Sequence, residues 1–260
     1  MRRGVVLAAG WRTPWAKAGG ALQREDAARL GALAARETLA RSGIDASALD
    51  EVLIGCVGPP HDQVNVARVV ALRAGVPERV PAVTLGRNCA SGMEAITSAA
   101  TRILAGRGEL FLAGGVEAMS AYPLVYGPEM TDLFARLARA KTPLSRLAAL
   151  ARFRPWHLKP RIALVEGLTD PTCGLIMGRA TEVLVREFGL TRLEGDQLAV
   201  ESHRRAEAAR KAGRFEREIV PVMPQGARDP HTLREDDGIR AGQSLEQVAR
   251  LKPYFEKPDG

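Results

Sequence analysis

Two rhythms of apolar and polar positions share the first ~120 residues. Short apolar runs at 5–7, 52–54, 81–85 and 110–113 are each bounded by Gly, Pro or polar residues, and they predict four buried strands. Between them, residues 25–41 carry Leu30, Leu33, Ala34 and Glu37 at helical spacing and stop at Ser42-Gly43. Residues 65–74 form a shorter helical pattern stopped by Gly75, and 90–105 form a second Ala-rich one. Strands separated by helices require crossover connections, which predicts a largely parallel sheet with helices on both faces. Near Tyr122 the rhythm changes. Residues 122–235 hold helical patterns, at 181–188 and 193–213, but strand signals only at Ile219-Val220 and Val222. The prediction is an α/β protein: a parallel-rich core half over 1–121, a helical insertion over 122–235, and a return toward the core over 236–260.

Composition narrows the class. The 260 residues are 46% hydrophobic and 26% charged, ordinary for a globular protein. Apolar runs stay well short of the ~18 residues that a membrane-spanning helix needs. The opening MRRGVVLAAG imitates a signal peptide only weakly, because its apolar stretch is short and Arg12 soon follows. Three cysteines, Cys56, Cys89 and Cys173, provide no disulfide framework and no CxxC pair, which points to a reducing compartment and no metal site. A cytoplasmic location is expected, at most peripheral to a membrane.

The net charge is +7, but it is localised. Residues 134–161 hold Arg136, Arg139, Lys141, Arg146, Arg152, Arg154, Lys159 and Arg161 and no acidic residue, so the rest of the chain is close to neutral. That distribution argues against a nucleic-acid-coating protein and for one basic segment. Within it Leu144, Leu147, Ala148 and Ala151 fall at i, i+3, i+4 and i+7, an apolar stripe flanked by Arg146, Arg152 and Arg154, with Phe153 and Trp156 just beyond. Such a segment suits an anionic membrane surface or an acidic partner helix; a helix packed on its own domain with a solvated Arg face is the plainer account.

Cys89 is the first candidate for chemistry. It lies in LGRNCASGMEAI, after a strand, a short turn, and close to a helix start. Helix N-termini present unpaired N–H groups and partial positive charge, which favour a thiolate. Ser91 and Gly92 are small and would let a substrate carbonyl approach. Position alone leaves two readings of Cys89, a nucleophile or a buried structural thiol. Cys56, ending the strand VLIGC, reads as a core thiol, and Cys173 has no pattern of its own. His61, His157, His203 and His231 are scattered, and His203 sits on an Arg/Glu-rich helix. Gly114-Gly115 allows close backbone approach, yet GxGxxG and P-loop signatures are missing, so nucleotide binding of those kinds is unsupported.

RNCASGMEAI resembles the acyl-enzyme motif of thiolases, which make or cleave 3-ketoacyl-CoA thioesters. Other segments follow in family order: Arg12-Thr13-Pro14, Asn65-Val66-Ala67-Arg68, Gly114 to Ser120 as GGVEAMS, Gly167-Leu168-Thr169-Asp170 with Met177-Gly178, Ala199, Ser202 and Arg205-Ala206, then Gly238-Ile239-Arg240, Leu245-Glu246 and Leu251-Lys252-Pro253. The basic insertion and the DDGIR…SLEQ…LKP run look most like the β subunits of fatty-acid β-oxidation complexes. A β-ketoacyl synthase fits less well, because the match through Leu168, Met177 and Arg240 belongs to thiolases.

The resemblance implies a thiolase-like core half interrupted by a loop domain, with Cys89 as the nucleophile acylated by acyl-CoA. Its backbone N–H would help hold the thioester oxygen. Leu168, Met177 and Arg240 match positions that line the coenzyme A site; coenzyme A is a substrate, and no covalently bound cofactor is implied. Ile176 stands where many members have His, so a short-chain preference does not carry over. Members continue past LKPxF into a second α/β half with an Asn-Glu-Ala-Phe-type segment, a Gly-His-Pro motif and a second reactive cysteine. These 260 residues contain none of them. The resemblance therefore implies turnover only when a C-terminal half is supplied, by another chain or within an oligomer, or else an acyl-CoA-binding or complex-docking protein without turnover. A β-oxidation α subunit or a membrane would be met through 134–161.

Overall fold

The strand β1 (Glu51–Gly55) is the middle of a three-stranded sheet, with β2 (Ala82–Leu85) on one side and β3 (Phe111–Gly115) on the other. Both pairings are parallel. Val52 lies opposite Ala82 and Leu112, and Gly55 lies opposite Leu85 and Gly115. The computed structural model describes residues 4–226 and 231–257; residues 1–3 and 258–260, the outer ends of the segments drawn from the sequence, lie outside the described residues. Among those described, the chain divides by packing into two units. The first is Met1–Ala121 with Asp196–Arg250, and the second is Tyr122–Gly195 with Leu251–Gly260. This division groups residues 196–235 with the first unit, whereas the sequence reading drew them with the insertion.

In the first unit the apolar run of β1 alternates between two cores. Val52 and Ile54 pack with α1 (Ala27–Ser42) and α2 (Val66–Ala74), while Leu53 packs with Ala95 and Ala99 of α3 (Ser91–Leu104). Period-2 alternation with both faces covered is the reason the run is continuously apolar. The Asp26 side chain caps α1 by accepting the Arg29 N–H at 2.6 Å. Asn65 caps α2 and also stitches it to β2: its amide donates to the Ala82 carbonyl at 3.0 Å and its oxygen accepts the Thr84 hydroxyl at 2.9 Å. Arg68, one turn on, donates to the carbonyls of Val80 and Glu78, both at 2.9 Å. The NVAR segment thus works as a clamp between a helix and the strand that follows it.

One expected strand is absent. Residues 5–7 form no strand, and Val6 and Leu7 are 83% and 80% exposed. A strand needs a neighbour for its N–H and C=O groups, and the three-stranded sheet ends at β3 without reaching this run. Beyond it, Arg12 forms an isolated bridge with Ile219, and Val222 one with Leu233. The Arg12 guanidinium holds Asp236 bidentately at 2.7 and 2.9 Å and reaches Glu218 at 2.8 Å, and Asp236 also accepts the Trp15 N–H at 2.8 Å. Burial pushes the Asp236 carboxyl up, but these donors and the Arg12 charge outweigh it and hold its pKa below the usual carboxylate range. A depressed carboxyl pKa contributes stability above the unfolded value, ~3.9, and that contribution is lost as pH falls through the folded value. Asp236→Asn is therefore expected to cost about 2 kcal/mol at pH 7. In urea unfolding the gap from the parent should close as pH drops below ~4.

The second unit contains α4 (Pro128–Arg139), α5 (Pro143–Leu150), a two-stranded antiparallel pair of β4 (Leu124–Val125) and β5 (Arg161–Ile162), α6 (Ala163–Gly167) and α7 (Met177–Phe188). Thr142 and Ser145 close a capping box at the start of α5. This helix buries only Ala149 and turns Leu144 (77% exposed) and Leu147 (65%) to solvent. The apolar stripe read from the sequence is present and lies on the outer face. Phe255 packs on Gly178 of α7, where a Cβ would strike its ring. The remaining α-helices among the described residues are α8 (Arg192–Lys211), most of which belongs to the first unit, and the short α9 (Leu245–Ala249). Among the described residues no helix is long and apolar enough to cross a membrane.

Candidate active site

Between the end of β2 and the start of α3 the chain makes one tight turn, and Cys89 is on it. Asn88 has φ +45°, the one positive φ at a non-glycine position among the described residues. Left-handed backbone costs about 1 kcal/mol or more for most residues and least for Asn or Gly. Local hydrogen bonds offset that cost. The Ala90 N–H donates to the Arg87 carbonyl at 3.0 Å, and the Ser91 N–H donates to the Asn88 carbonyl at 3.1 Å. The Ser91 hydroxyl accepts the Arg87 N–H at 2.8 Å and donates to the Asn88 carbonyl at 2.6 Å. Ser91 is buried at 3% exposure, so its small size serves the turn rather than the approach of a substrate. The exposed Arg87–Glu94 ion pair at 2.9 Å adds little.

Three glycines let this turn sit on the sheet. A Cβ on Gly55, at the end of β1, would lie 2.6 Å from the Gly92 nitrogen and closer still to the Ser91 carbonyl group. A Cβ on Gly115, at the end of β3, would lie 2.8 Å from the Gly92 Cα. The ends of β1 and β3 therefore touch the first turn of α3 backbone to backbone. The first bond of α3 runs from the Glu94 N–H to the Ala90 carbonyl at 2.9 Å, which leaves the Gly92 and Met93 N–H groups outside the helix ladder. Cys89, two residues before the start of α3, is exposed. An exposed thiol at an N-terminus with free donors and positive partial charge can attack a carbonyl and have the resulting anion stabilised.

The other two cysteines differ from it. Cys56 is buried, and burial first, then the nearby Glu117 charge, pushes its pKa up to about 12. It stays a thiol at physiological pH and is inert. Cys173 is exposed on the loop of the second unit between α6 and α7. That loop folds back on itself: Thr169 bridges Ile176, and Asp170 Oδ1 accepts the Thr172 N–H at 2.7 Å. The Met177 N–H donates to the Leu168 carbonyl at 2.9 Å, so the structure brings these two candidate residues together, both partly exposed. Arg240 lies in the first unit with its side chain exposed, and its N–H donates to His203 Nδ1 at 3.3 Å. Next to it the Gly242 N–H donates to Glu207 at 3.1 Å, so α8 anchors the Arg240 loop at two points. A cleft of about 530 Å³ runs beside α1 and β3 in the first unit, and Cys89 is not among its lining residues. No group of three or more His, Cys, Asp or Glu suited to a metal occurs among the described residues.

A family model described as the thiolase N-terminal domain matches residues 5–260. The chain belongs to the thiolase family. Acetyl-CoA acetyltransferase of Cupriavidus necator is 38% identical over 254 residues, 97% of this chain and 60% of that relative. A probable acetyl-CoA acyltransferase of Staphylococcus aureus is 36% identical over 255 residues, with the same coverage. Among solved structures, Bacillus anthracis acetyl-CoA acetyltransferase superposes with a TM-score of 0.83 at 34% identity, covering 97% of this chain and 59% of that one. Human mitochondrial 3-ketoacyl-CoA thiolase, solved in complex with CoA, gives 0.79 at 29% identity, covering 97% and 58%. The chain thus has the thiolase fold and spans about 60% of the length of these curated relatives. In this thiolase domain the sequence reading singled out Cys89 and Gly115 but missed Gly55. The only signal for Gly55 was a glycine ending an apolar strand just before Cys56.

Proposed function

We propose that this thiolase domain carries the acylation step of acyl transfer between acyl-CoA and coenzyme A. Cys89 Sγ attacks the thioester carbonyl, and its proton ends on the coenzyme A sulfur that leaves. The carbonyl carbon gains a bond to Cys89, the bond to the coenzyme A sulfur breaks, and that sulfur leaves with the electron pair. The observation that carries this reading is the exposed Cys89 on a backbone-locked turn at the start of α3. The names of the relatives support the substrate class. The Arg240 guanidinium, exposed in the same unit as Cys89, would suit the phosphates of coenzyme A. Incubation with acetyl-CoA should place one acetyl group on the Cys89 peptide and release one equivalent of coenzyme A. Coenzyme A binding without acetylation would instead favour an acyl-CoA-binding role without turnover.

A second reading concerns the partner of α5. Its outward Leu144 and Leu147, with Trp156 at 67% exposure and the eight basic residues of 134–161, support contact with an anionic lipid surface. Each basic residue near such a surface contributes roughly 1 kcal/mol, so neutralising Arg146, Arg152 and Lys159 to Gln should weaken vesicle binding roughly 100-fold. Co-sedimentation with phosphatidylglycerol vesicles and not with phosphatidylcholine vesicles is the expected result. Equal indifference to both, with capture of an acidic β-oxidation α subunit, would assign the face to a protein.

A further inference from the structure

The Ser91 hydroxyl spends its proton and one lone pair on the two residues that precede Cys89. It accepts the Arg87 N–H at 2.8 Å and donates to the Asn88 carbonyl at 2.6 Å, from a site 3% exposed. Asn88, between those bonds, holds φ +45°. No side chain caps α3 by hydrogen bonding from its cap position, Ala90, so the Ser91 hydroxyl, reaching back from the first residue of the helix, is the side-chain brace of this turn. We propose that Ser91 is a positioning residue for Cys89: its hydroxyl keeps Asn88 left-handed and so fixes the backbone that carries the thiol at the start of α3. This rests on the acyl-transfer reading, in which Cys89 is the nucleophile.

The physical logic is specific to an oxygen that both donates and accepts. With alanine at 91, the Arg87 N–H loses its acceptor and the Asn88 carbonyl loses a short bond. The left-handed conformation of Asn88 is then offset by the two backbone bonds of the turn alone, and the turn is freer to relax toward an ordinary φ. Cys89 swings away from the helix start without any change at Cys89 itself. If Ser91 acts through Asn88, a glycine at 88 should make it less necessary, because glycine takes φ near +45° freely.

The cysteines supply their own controls for the test. Site-resolved iodoacetamide labelling across pH reports Cys89 as the candidate, exposed Cys173 as the reference, and buried Cys56 as a reporter of unfolding. In the parent protein Cys89 should react at least tenfold faster than Cys173 at neutral pH. S91A should lower the Cys89 rate at least fivefold and alter its pH profile relative to that of Cys173, with Cys56 still protected. In the N88G background the effect of S91A should shrink at least threefold, and N88G/S91A should keep Cys56 protected even where S91A alone exposes it. A Cys89 rate and pH profile unchanged by S91A in a protein with Cys56 protected would overturn the positioning role alone. So would exposure of Cys56 in both S91A and N88G/S91A, which would make Ser91 a fold residue. Parent Cys89 no faster than Cys173 would overturn the acyl-transfer reading and the positioning role with it.

Discussion

Gly55→Ala should leave this domain barely folded. The new methyl would meet the Ser91 carbonyl group and the Gly92 nitrogen, and both are backbone atoms of a helix that cannot rotate aside. Relief requires β1 and α3 to separate, which opens the core around Leu53, Ala95 and Ala99. Overpacking of this kind costs ~3 kcal/mol or more, a large share of a stability of ~5–15 kcal/mol. Two neighbours grade the effect. A Cβ on Gly115 comes closer than 3 Å to one atom, the Gly92 Cα at 2.8 Å, against three for Gly55, so Gly115→Ala should cost less. A Cβ on Gly114 meets nothing within 4 Å, and Gly114→Ala should stay within about 0.5 kcal/mol of the parent. Urea midpoints for the three variants check the order. Equal midpoints for Gly55→Ala and Gly114→Ala would remove the close-packing account of the turn.

The second large effect concerns chemistry rather than folding. On the proposed acylation reading, Cys89→Ala should abolish acetyl labelling by acetyl-CoA and the accompanying release of one equivalent of coenzyme A, because the acceptor sulfur is gone. Its stability should shift by less than about 0.5 kcal/mol, since the side chain is exposed. Cys89→Ser should fare little better, because a hydroxyl is far harder to deprotonate than a thiol at neutral pH. Cys173→Ala, at the other exposed cysteine, should leave the reaction within about twofold. Coenzyme A release followed with a thiol reagent separates these cases. Loss of transfer in Cys173→Ala with full transfer in Cys89→Ala would transfer the nucleophile's role to the second unit.

The elements of the core half were legible because burial on both faces writes itself into the chain. The runs that became β1, β2 and β3 are apolar but for Thr84, and glycines end α1 and α2 at Gly43 and Gly75 in left-handed conformation. The run at 5–7 was equally apolar and still forms no strand, since pairing depends on a neighbour that local pattern cannot specify. Around Cys89 the helix start was readable, but the contacts that shape it were not. Gly55 and Gly115 lie 34 and 26 positions from the cysteine, and their role follows from distance in space alone. Ser91 was read as a small residue beside a substrate, whereas its hydroxyl is consumed by the turn. The spacing of Leu144 and Leu147 revealed one helical face, and only the structure showed that this face points outward.

The glycine contacts also order events in time. The turn at Cys89 is closed by local hydrogen bonds but backed by β1 before it in the chain and by β3 after it, so the first segment to fold does not complete its surroundings. Parallel pairing and distant contacts form late, because loop closure must come first. On a ribosome adding ~5–20 residues per second, Gly115 emerges a second or more after Cys89. Until then the nascent segment carries an ordinary cysteine on a flexible chain. The thiol acquires its special surroundings only once the sheet has closed beneath it, so its reactivity is a late marker of successful folding.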